Sequence, residues 1–261
     1  MDEESLRSLG LVDAERLLDE IHLWECLSAR DAEGYDDVHL FVDKSGVRLA
    51  SCMTSENGGG GGEEEFFSFD GEGGHAARLF AIRLGLALVD LRSAGSASRT
   101  ILVEVDDPQV YPHHGLCGPG CALELHDFRL GAIATRFEVV EDEESFLAVQ
   151  ARRGDDAVSA APGRLVSRSI LALTEGAASP REVNAEAEFL ALCLDVDHRI
   201  NSVTGLPWFR LRADCGLPIA LALPGDCEPP PQPGSLILGR AILVGSSGFW
   251  DRGEPFVERL T

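Results

Sequence analysis

The sequence predicts an α+β protein in two parts: a mixed α+β first half on an antiparallel or mixed sheet, then a β-rich, barrel-like second half. Three observations support this. Apolar residues recur at helical spacing in parts of the first 95 residues, alternating apolar residues mark strands in both halves, and RRGDDAVSAAPGR between them has little apolar bulk. We therefore expect an acidic α+β domain at 1–153, a linker at 154–163, and a small barrel or curled antiparallel sheet at 164–261.

Two segments of the first half have helical patterns. In VDAERLLDEIHLWECLS, the apolar side chains fall on one stripe at helical spacing: Leu17, Ile21, Trp24 and Leu27. The run from His75 to Ala94 is apolar around most of a helical circumference, which favours a buried helix. Between these segments, DDVHLFVD and GVRLASCMT flank Lys44-Ser45-Gly46 in the pattern of a β-hairpin.

Strand patterns follow the second helical segment and continue to the end of the chain. They are RTILVEV and CALELHDFRLGAIATRFEVVE in the first half, then AEAEFLALCLDVDHRI, LPWFRLRAD, LPIALAL and SLILGRAILVGSSGFW. Asp214-Cys215-Gly216 is a turn signal between the second and third strands of the second half, and Gly239 indicates a bend or bulge in the last. About five strands in this space are typical of a small barrel.

The charge of the chain limits its partners. The formal net charge is −22, of which −19 falls in residues 1–156, and Lys44 is the only lysine. Such a field repels phosphate backbones and anionic lipid surfaces, so we expect no general nucleic-acid binding and no membrane binding. It favours either a basic protein surface as partner or simple solubility. The acidic start MDEESLRSLG does not resemble a secretory signal, and we expect a cytoplasmic protein with reduced cysteines.

The stretch YPHHGLCGPGC concentrates metal-ligand residue types. Cys117 and Cys121 are separated by Gly118, Pro119 and Gly120, so the chain could turn sharply enough for both sulfurs to meet, and His114 lies three residues before the pair. Zinc is the cofactor that this set would bind. A redox pair and an ordered loop without a cofactor are the alternatives, because zinc sites and thioredoxin-like pairs both usually space their cysteines by two residues.

Carboxylates cluster at the end of the strand RTILVEV. Glu104, Asp106 and Asp107 lie where strand ends often hold metals or catalytic acids, and Mg²⁺ is a conceivable ligand. The alternative is a polar strand exit before Pro108. No motif of the familiar hydrolase, protease, kinase or dinucleotide-binding classes is present, which favours a binding protein over an enzyme.

The strand LPWFRLRAD suggests a recognition face. Alternation along a strand places Trp208, Arg210 and Arg212 on one side, and apolar residues suited to a core on the other. An aromatic ring and two guanidinium groups could together bind a small anionic ligand. The alternative is a structural face, in which the arginines pair with Glu186 and Glu188 on a neighbouring strand.

These observations favour a non-catalytic cytosolic binding protein whose partner is a basic protein surface or a small anion at Trp208, Arg210 and Arg212. One alternative is a metal-dependent enzyme that uses the His/Cys stretch 113–121, with Asp106 or Glu124 as base. A second alternative is an immunity- or antitoxin-like inhibitor of a basic protein, acting through its acidic surface.

Overall fold

The computed structural model describes residues 3–12, 17, 20–29, 32, 35–54, 62–92, 98–111, 122–141, 145–146, 163–252 and 257–260. Within these ranges the protein is mostly β, with fourteen strands in two sheets. The two α-helices with assigned bounds are short: α1 (Glu3–Arg7) and α2 (Arg168–Thr174). The predicted α+β class is therefore wrong.

The smaller sheet, sheet A, contains five strands: β1 (Glu25–Ala29), β2 (Asp37–Val42), β3 (Val47–Met53), β4 (Glu63–Phe69) and β14 (Val257–Leu260). Their order is β14-β1-β2-β3-β4, and all pairs are antiparallel. The predicted hairpin is confirmed, since β2 and β3 pair from Asp37 opposite Met53 to Val42 opposite Arg48. Gly46 closes its turn at a φ of 91°, a conformation that favours glycine.

The larger sheet, sheet B, contains nine strands: β5 (Glu72–Arg83), β6 (Leu86–Arg92), β7 (Arg99–Val105), β8 (Leu123–Val140), β9 (Arg164–Val166), β10 (Glu186–Ile200), β11 (Pro207–Asp214), β12 (Pro218–Pro224) and β13 (Leu236–Ser246). Their order is β11-β12-β8-β5-β6-β7-β13-β10-β9. Two further pairings, β10 with β11 and β8 with β13, connect strands that are not neighbours in this order. Through them the sheet closes on itself.

The predicted helix from His75 to Ala94 is instead the β5–β6 hairpin. The two strands pair from Ala76 opposite Arg92 to Arg83 opposite Leu86, and Gly85 turns the chain with a φ of 65°. Buried and less buried residues alternate along β5 from His75 onward. Apolar residues occupy both faces of the hairpin. The sequence therefore lacks the alternation of apolar and polar residues that identifies a strand.

The strands of the second half do not form a barrel by themselves. β12 pairs with β8, and β13 pairs with both β7 and β8, so strands from both halves of the chain share sheet B. The predicted fold class is wrong in this respect as well. Residues 154–162 of the predicted linker lie outside the described residues, and the domain boundary stays a prediction.

The core has layers on both faces of sheet B. The largest cluster lines what we call the inner face and includes Leu79, Val103, Leu130, Leu211 and Leu243. A second cluster packs sheet A and the N-terminal segment against the opposite, outer face, and includes Leu9, Leu49, Phe69, Ile133 and Trp208. A small third cluster groups four side chains from the far end of sheet B: Val140, Phe146, Leu190 and Leu236. Sheet A thus covers only part of the outer face.

We expect limited proteolysis to cut first near 154–163 or within 56–64, because both sequences are rich in small or polar residues and poor in apolar anchors. The fragments should nevertheless co-elute in native size-exclusion chromatography, because the β8–β13 ladder joins the two sides of the first site. A denaturing gel of the eluted peak checks both statements. First cuts within 186–222, or fragments that separate under native conditions, would contradict this expectation.

Candidate functional site

A pocket of about 380 Å³ lies on the outer face of sheet B, next to the third cluster. Strands β8, β9, β10 and β13 supply its lining together with Phe146. The register of these strands decides which side chains meet in it. Two rows of paired residues cross the strands next to each other. One row has an apolar centre, and the other is charged throughout.

The first row, the leucine row, has an apolar centre and charged ends. Leu190 of β10 is paired with Leu238 of β13, while Arg164 of β9 flanks Leu190 and Glu138 of β8 flanks Leu238. Phe146, fully buried, belongs to the same cluster as Leu190, Leu238 packs against that cluster, and Phe146 adds an aromatic wall to the pocket. The leucine row therefore gives the pocket an apolar floor between two charged groups.

The second row, the arginine row, is formed by Glu188 of β10, Arg240 of β13 and Arg136 of β8. Arg240 lies within 3.4 Å of a Glu186 carboxylate oxygen and 3.7 Å of one from Glu188. Arg136 is directly opposite Arg240 in the β8–β13 ladder. Like charges directly opposite each other in an antiparallel pair repel each other, and Glu186 and Glu188 lie beside Arg240 only, which leaves Arg136 without a carboxylate.

Two of the three pocket arginines have no partner in the described part of the chain. The side chains of Arg136 and Arg164 make no hydrogen bond or ion pair with any described residue, whereas Arg240 pairs with Glu186 and Glu188 and shares Glu188 with Arg168. Both side chains are exposed, so their charges are free to meet an anion from solution. Guanidinium groups of this kind are suited to bidentate binding of a carboxylate or phosphate.

Gly239 and a bulge next to it set this geometry. The β8–β13 register shifts between Arg240 and Ala241, and the extra residue is Thr135 of β8, so the bulge lies on the partner strand and not at Gly239. A Cβ atom at Gly239 would lie 1.9 Å from the carbonyl oxygen of Arg136 and 2.7 Å from the Cα of Phe137. Only glycine permits this approach of the two backbones, which brings Arg136 beside Arg240.

The carboxylates at the end of β7 separate into two environments. Glu104 lines a cleft beside the pocket, whereas Asp106 and Asp107 are buried at the junction of the two sheets. One Asp106 oxygen accepts hydrogen bonds from Arg48 of β3 at 3.2 Å and from Ser68 of β4 at 2.9 Å. Asp106 thereby links sheet A to sheet B.

Asp107 is held by donors from the far end of β13 and from the segment after β7. Its Oδ2 accepts hydrogen bonds from the backbone N–H and hydroxyl of Ser247, at 2.8 and 2.6 Å, and from Ser246 at 3.1 Å. Tyr111 donates to Oδ1 at 2.5 Å. Burial, with the neighbouring Asp106 charge, raises the pKa of Asp107 from 3.8 to about 6. These donors match the alternative of a polar strand exit, and no group of three or more possible metal ligands occurs among the described residues.

The predicted zinc ligands His114, Cys117 and Cys121 all lie outside the described residues, so zinc binding stays a prediction. The two bases considered for a metal-dependent enzyme differ in their surroundings. Asp106 is buried, whereas Glu124 is exposed on β8.

The structure separates the three residues of the predicted recognition face. Trp208 is fully buried between the sheets, with Phe69 packed edge-on at 5.8 Å and the guanidinium of Arg199 at 5.5 Å from its ring centroid. Alternation along β11 is as predicted, but sheet A covers the Trp208 end of that face.

The two arginines of that face also differ from each other. Arg210 donates to the backbone carbonyl of Asp70 at 3.0 Å and lies 3.3 Å from its carboxylate, with Glu72 at 3.8 Å. Its acidic neighbours are therefore Asp70 and Glu72, and not the expected Glu186 and Glu188. Arg212 is exposed and makes no hydrogen bond or ion pair with a described residue. Ligand binding by these residues stays a prediction, but they do not form one open surface.

Sequence reasoning missed the pocket residues Arg136, Arg164 and Arg240. A signal was available for two of them, since Arg136 in ATRFEVV and Arg240 in LGRAIL each interrupt an apolar strand. Their direct pairing depends on a register between distant segments, which no local pattern reveals.

Comparison with protein-family models, curated proteins and solved structures gives no match to this chain. In the described part of the chain, none of the helices has the length and apolar character needed to cross a membrane.

We expect Gly239→Ala to destabilise the protein by more than about 2 kcal/mol, because the new Cβ has no room against the β8 backbone. Urea denaturation measures this change. Gly62→Ala is the matched control, since the nearest atom to its Cβ would be 3.9 Å away. Equal stability of the two variants would show that β8 and β13 do not approach this closely.

We expect Asp107→Asn to change how stability depends on pH. A carboxyl whose pKa is raised in the folded state binds its proton more tightly there, so it reduces stability as pH rises from about 4 through about 6. Asparagine keeps an acceptor for Ser247 and removes this titration. The melting temperature of the variant, relative to wild type, should therefore rise between pH 4 and 7. The exposed Asp195→Asn is the control, and parallel curves for wild type and Asp107→Asn would refute the expectation.

Proposed function

We propose that the protein binds a small amphiphilic anion, a carboxylate or phosphate ester with an apolar body, in the pocket between the leucine and arginine rows. The observation that carries this proposal is the position of Arg136. It lies directly opposite Arg240 and has no carboxylate partner among the described residues. An anion bound between the two guanidinium groups would convert their repulsion into charged hydrogen bonds.

The rest of the pocket supports an apolar body on the ligand. Leu190, Leu238 and Phe146 provide an apolar floor and wall next to the arginines. A volume of about 380 Å³ falls within the range of small-molecule sites, which combine a mostly apolar lining with a few placed polar groups. Arg164, at the other end of the leucine row, offers a second guanidinium group to the same anion or to a second one.

The composition of the lining favours binding over catalysis. The described residues that line the pocket include no Ser, Thr, Cys, His or Lys that could act as a nucleophile. The overall charge of −22 repels large polyanions. A small anion feels mainly the nearby guanidinium groups, because the field of distant charges is screened over about 8–10 Å.

An anionic fluorescent probe, 8-anilinonaphthalene-1-sulfonate, tests the proposal. Its sulfonate would bind the arginines and its rings the leucine row, so we expect saturable fluorescence enhancement at one site. Arg136→Gln and Arg164→Gln should each weaken binding about tenfold or more, because each removes a charged hydrogen bond. The neutral probe N-phenyl-1-naphthylamine should lose much less affinity in both variants.

Arg212→Gln is the matched control, since it removes the same charge from an exposed arginine on β11. Circular dichroism would verify that all three variants remain folded. The proposal fails if the sulfonate probe does not saturate, or if Arg212→Gln weakens its binding as much as Arg136→Gln does.

A further inference from the structure

We propose that the ligand is a zwitterion, whose anionic end binds at Arg136 and whose cationic end binds at Glu104. This inference rests on the proposed function and extends it to a second subsite. The class it defines is an ω-amino acid, or a short chain with an equivalent separation of charges.

A second cleft joins the pocket to the junction of the two sheets. It has a volume of about 870 Å³ and shares Arg136 and Arg240 with the pocket. From there it extends to Glu104 of β7, with Phe66 and Phe67 of β4 also in its lining. The two depressions therefore adjoin at Arg136 and Arg240, and we refer to them together as the recess.

Most charges in this recess neutralise one another. Arg83 lies 3.3 Å from a Glu64 carboxylate oxygen, and Arg240 lies 3.4 Å from one of Glu186. Glu104 makes no hydrogen bond or ion pair with any described residue, and the same is true of Arg136. One unpaired cation and one largely buried unpaired anion thus face the same cleft, too far apart to pair with each other.

The surroundings of Glu104 favour a cationic ligand group. Burial raises the pKa of this carboxyl, because it removes the anion from water, while the charge of Arg83 lowers the pKa and that of Glu64 raises it to a smaller extent. Arg83 makes its ion pair with Glu64 and not with Glu104. A bound ammonium group would supply the partner that the described residues do not.

The strand register sets the distance between the two subsites. Arg136 is opposite Arg240, and Glu104 is opposite Val244, so the two positions are four steps apart along β13. At about 3.3 Å per residue this is roughly 13 Å along the strand, and β8 and β7 flank β13 on opposite edges, which adds about two strand spacings across the sheet. Ile242 lies between them on β13 and lines the cleft, which suits an apolar spacer. Since both side chains reach into the recess, the ligand needs a spacer of several methylene groups.

Displacement of the sulfonate probe by paired ligands tests this inference. We expect 6-aminohexanoate to displace the probe about tenfold more effectively than hexanoate, because its ammonium adds a charged contact at Glu104. A length series from 4-aminobutyrate to 8-aminooctanoate should show an optimum. Glu104→Gln should abolish the advantage of the amino group and leave the binding of hexanoate and of the probe unchanged.

Glu65→Gln is the matched control, since Glu65 is an exposed carboxylate that lines the same cleft from β4. It should preserve the amino-group advantage. The inference is overturned if hexanoate binds but no amino acid of the series binds better, or if the advantage survives in Glu104→Gln or is lost equally in Glu65→Gln. Absence of binding by both the probe and hexanoate would instead overturn the proposed function itself.

Discussion

The antiparallel ladder between β8 and β13 is the contact on which the architecture depends. It contains eleven residue pairs, from Leu236 opposite Val140 to Ser246 opposite Arg129, and it joins segments roughly a hundred residues apart. The ladder places Arg136 beside Arg240. Near its far end, the carbonyl of Gly245 accepts a hydrogen bond from the N–H of Asp106, which brings the buried carboxylates to the junction of the sheets. The register of the β8–β13 ladder therefore positions both the arginines of the pocket and the carboxylates of the junction.

The carboxylates at that junction specify how sheet A lies on sheet B. Burying a charge is costly unless it is paired and hydrogen-bonded, and the side-chain donors to Asp106, Arg48 and Ser68, both come from sheet A. An apolar junction alone would tolerate sliding of one sheet over the other. The polar contacts therefore fix the cleft wall formed by β4, and with it the distance across the recess to Glu104.

Local pattern predicted much of the strand structure and little of the site. The β2–β3 hairpin is predictable because its alternation and its turn residues agree, whereas β5 and β6 are apolar on both faces and fit the pattern of a buried helix. The alternation of β11 was also correct, but nothing in LPWFRLRAD reveals that sheet A covers Trp208. The pairing of Arg136 with Arg240 arises only when distant strands adopt one register with one bulge. Such information is tertiary and is absent from any single segment.

The same long-range ladder has a consequence for how the protein acquires its fold during synthesis. While the ribosome extends the chain, β7 and β8 emerge more than ninety residues before the β13 strand that pairs with both. The edges of β7 and β8 that pair with β13 therefore stay unpaired until β13 has been synthesised. Unpaired apolar strands tend to join those of other chains. The net charge of −19 on residues 1–156 gives nascent chains mutual repulsion during this interval. We therefore expect the concentration of acid in the first half to oppose aggregation while these non-local strand pairs form.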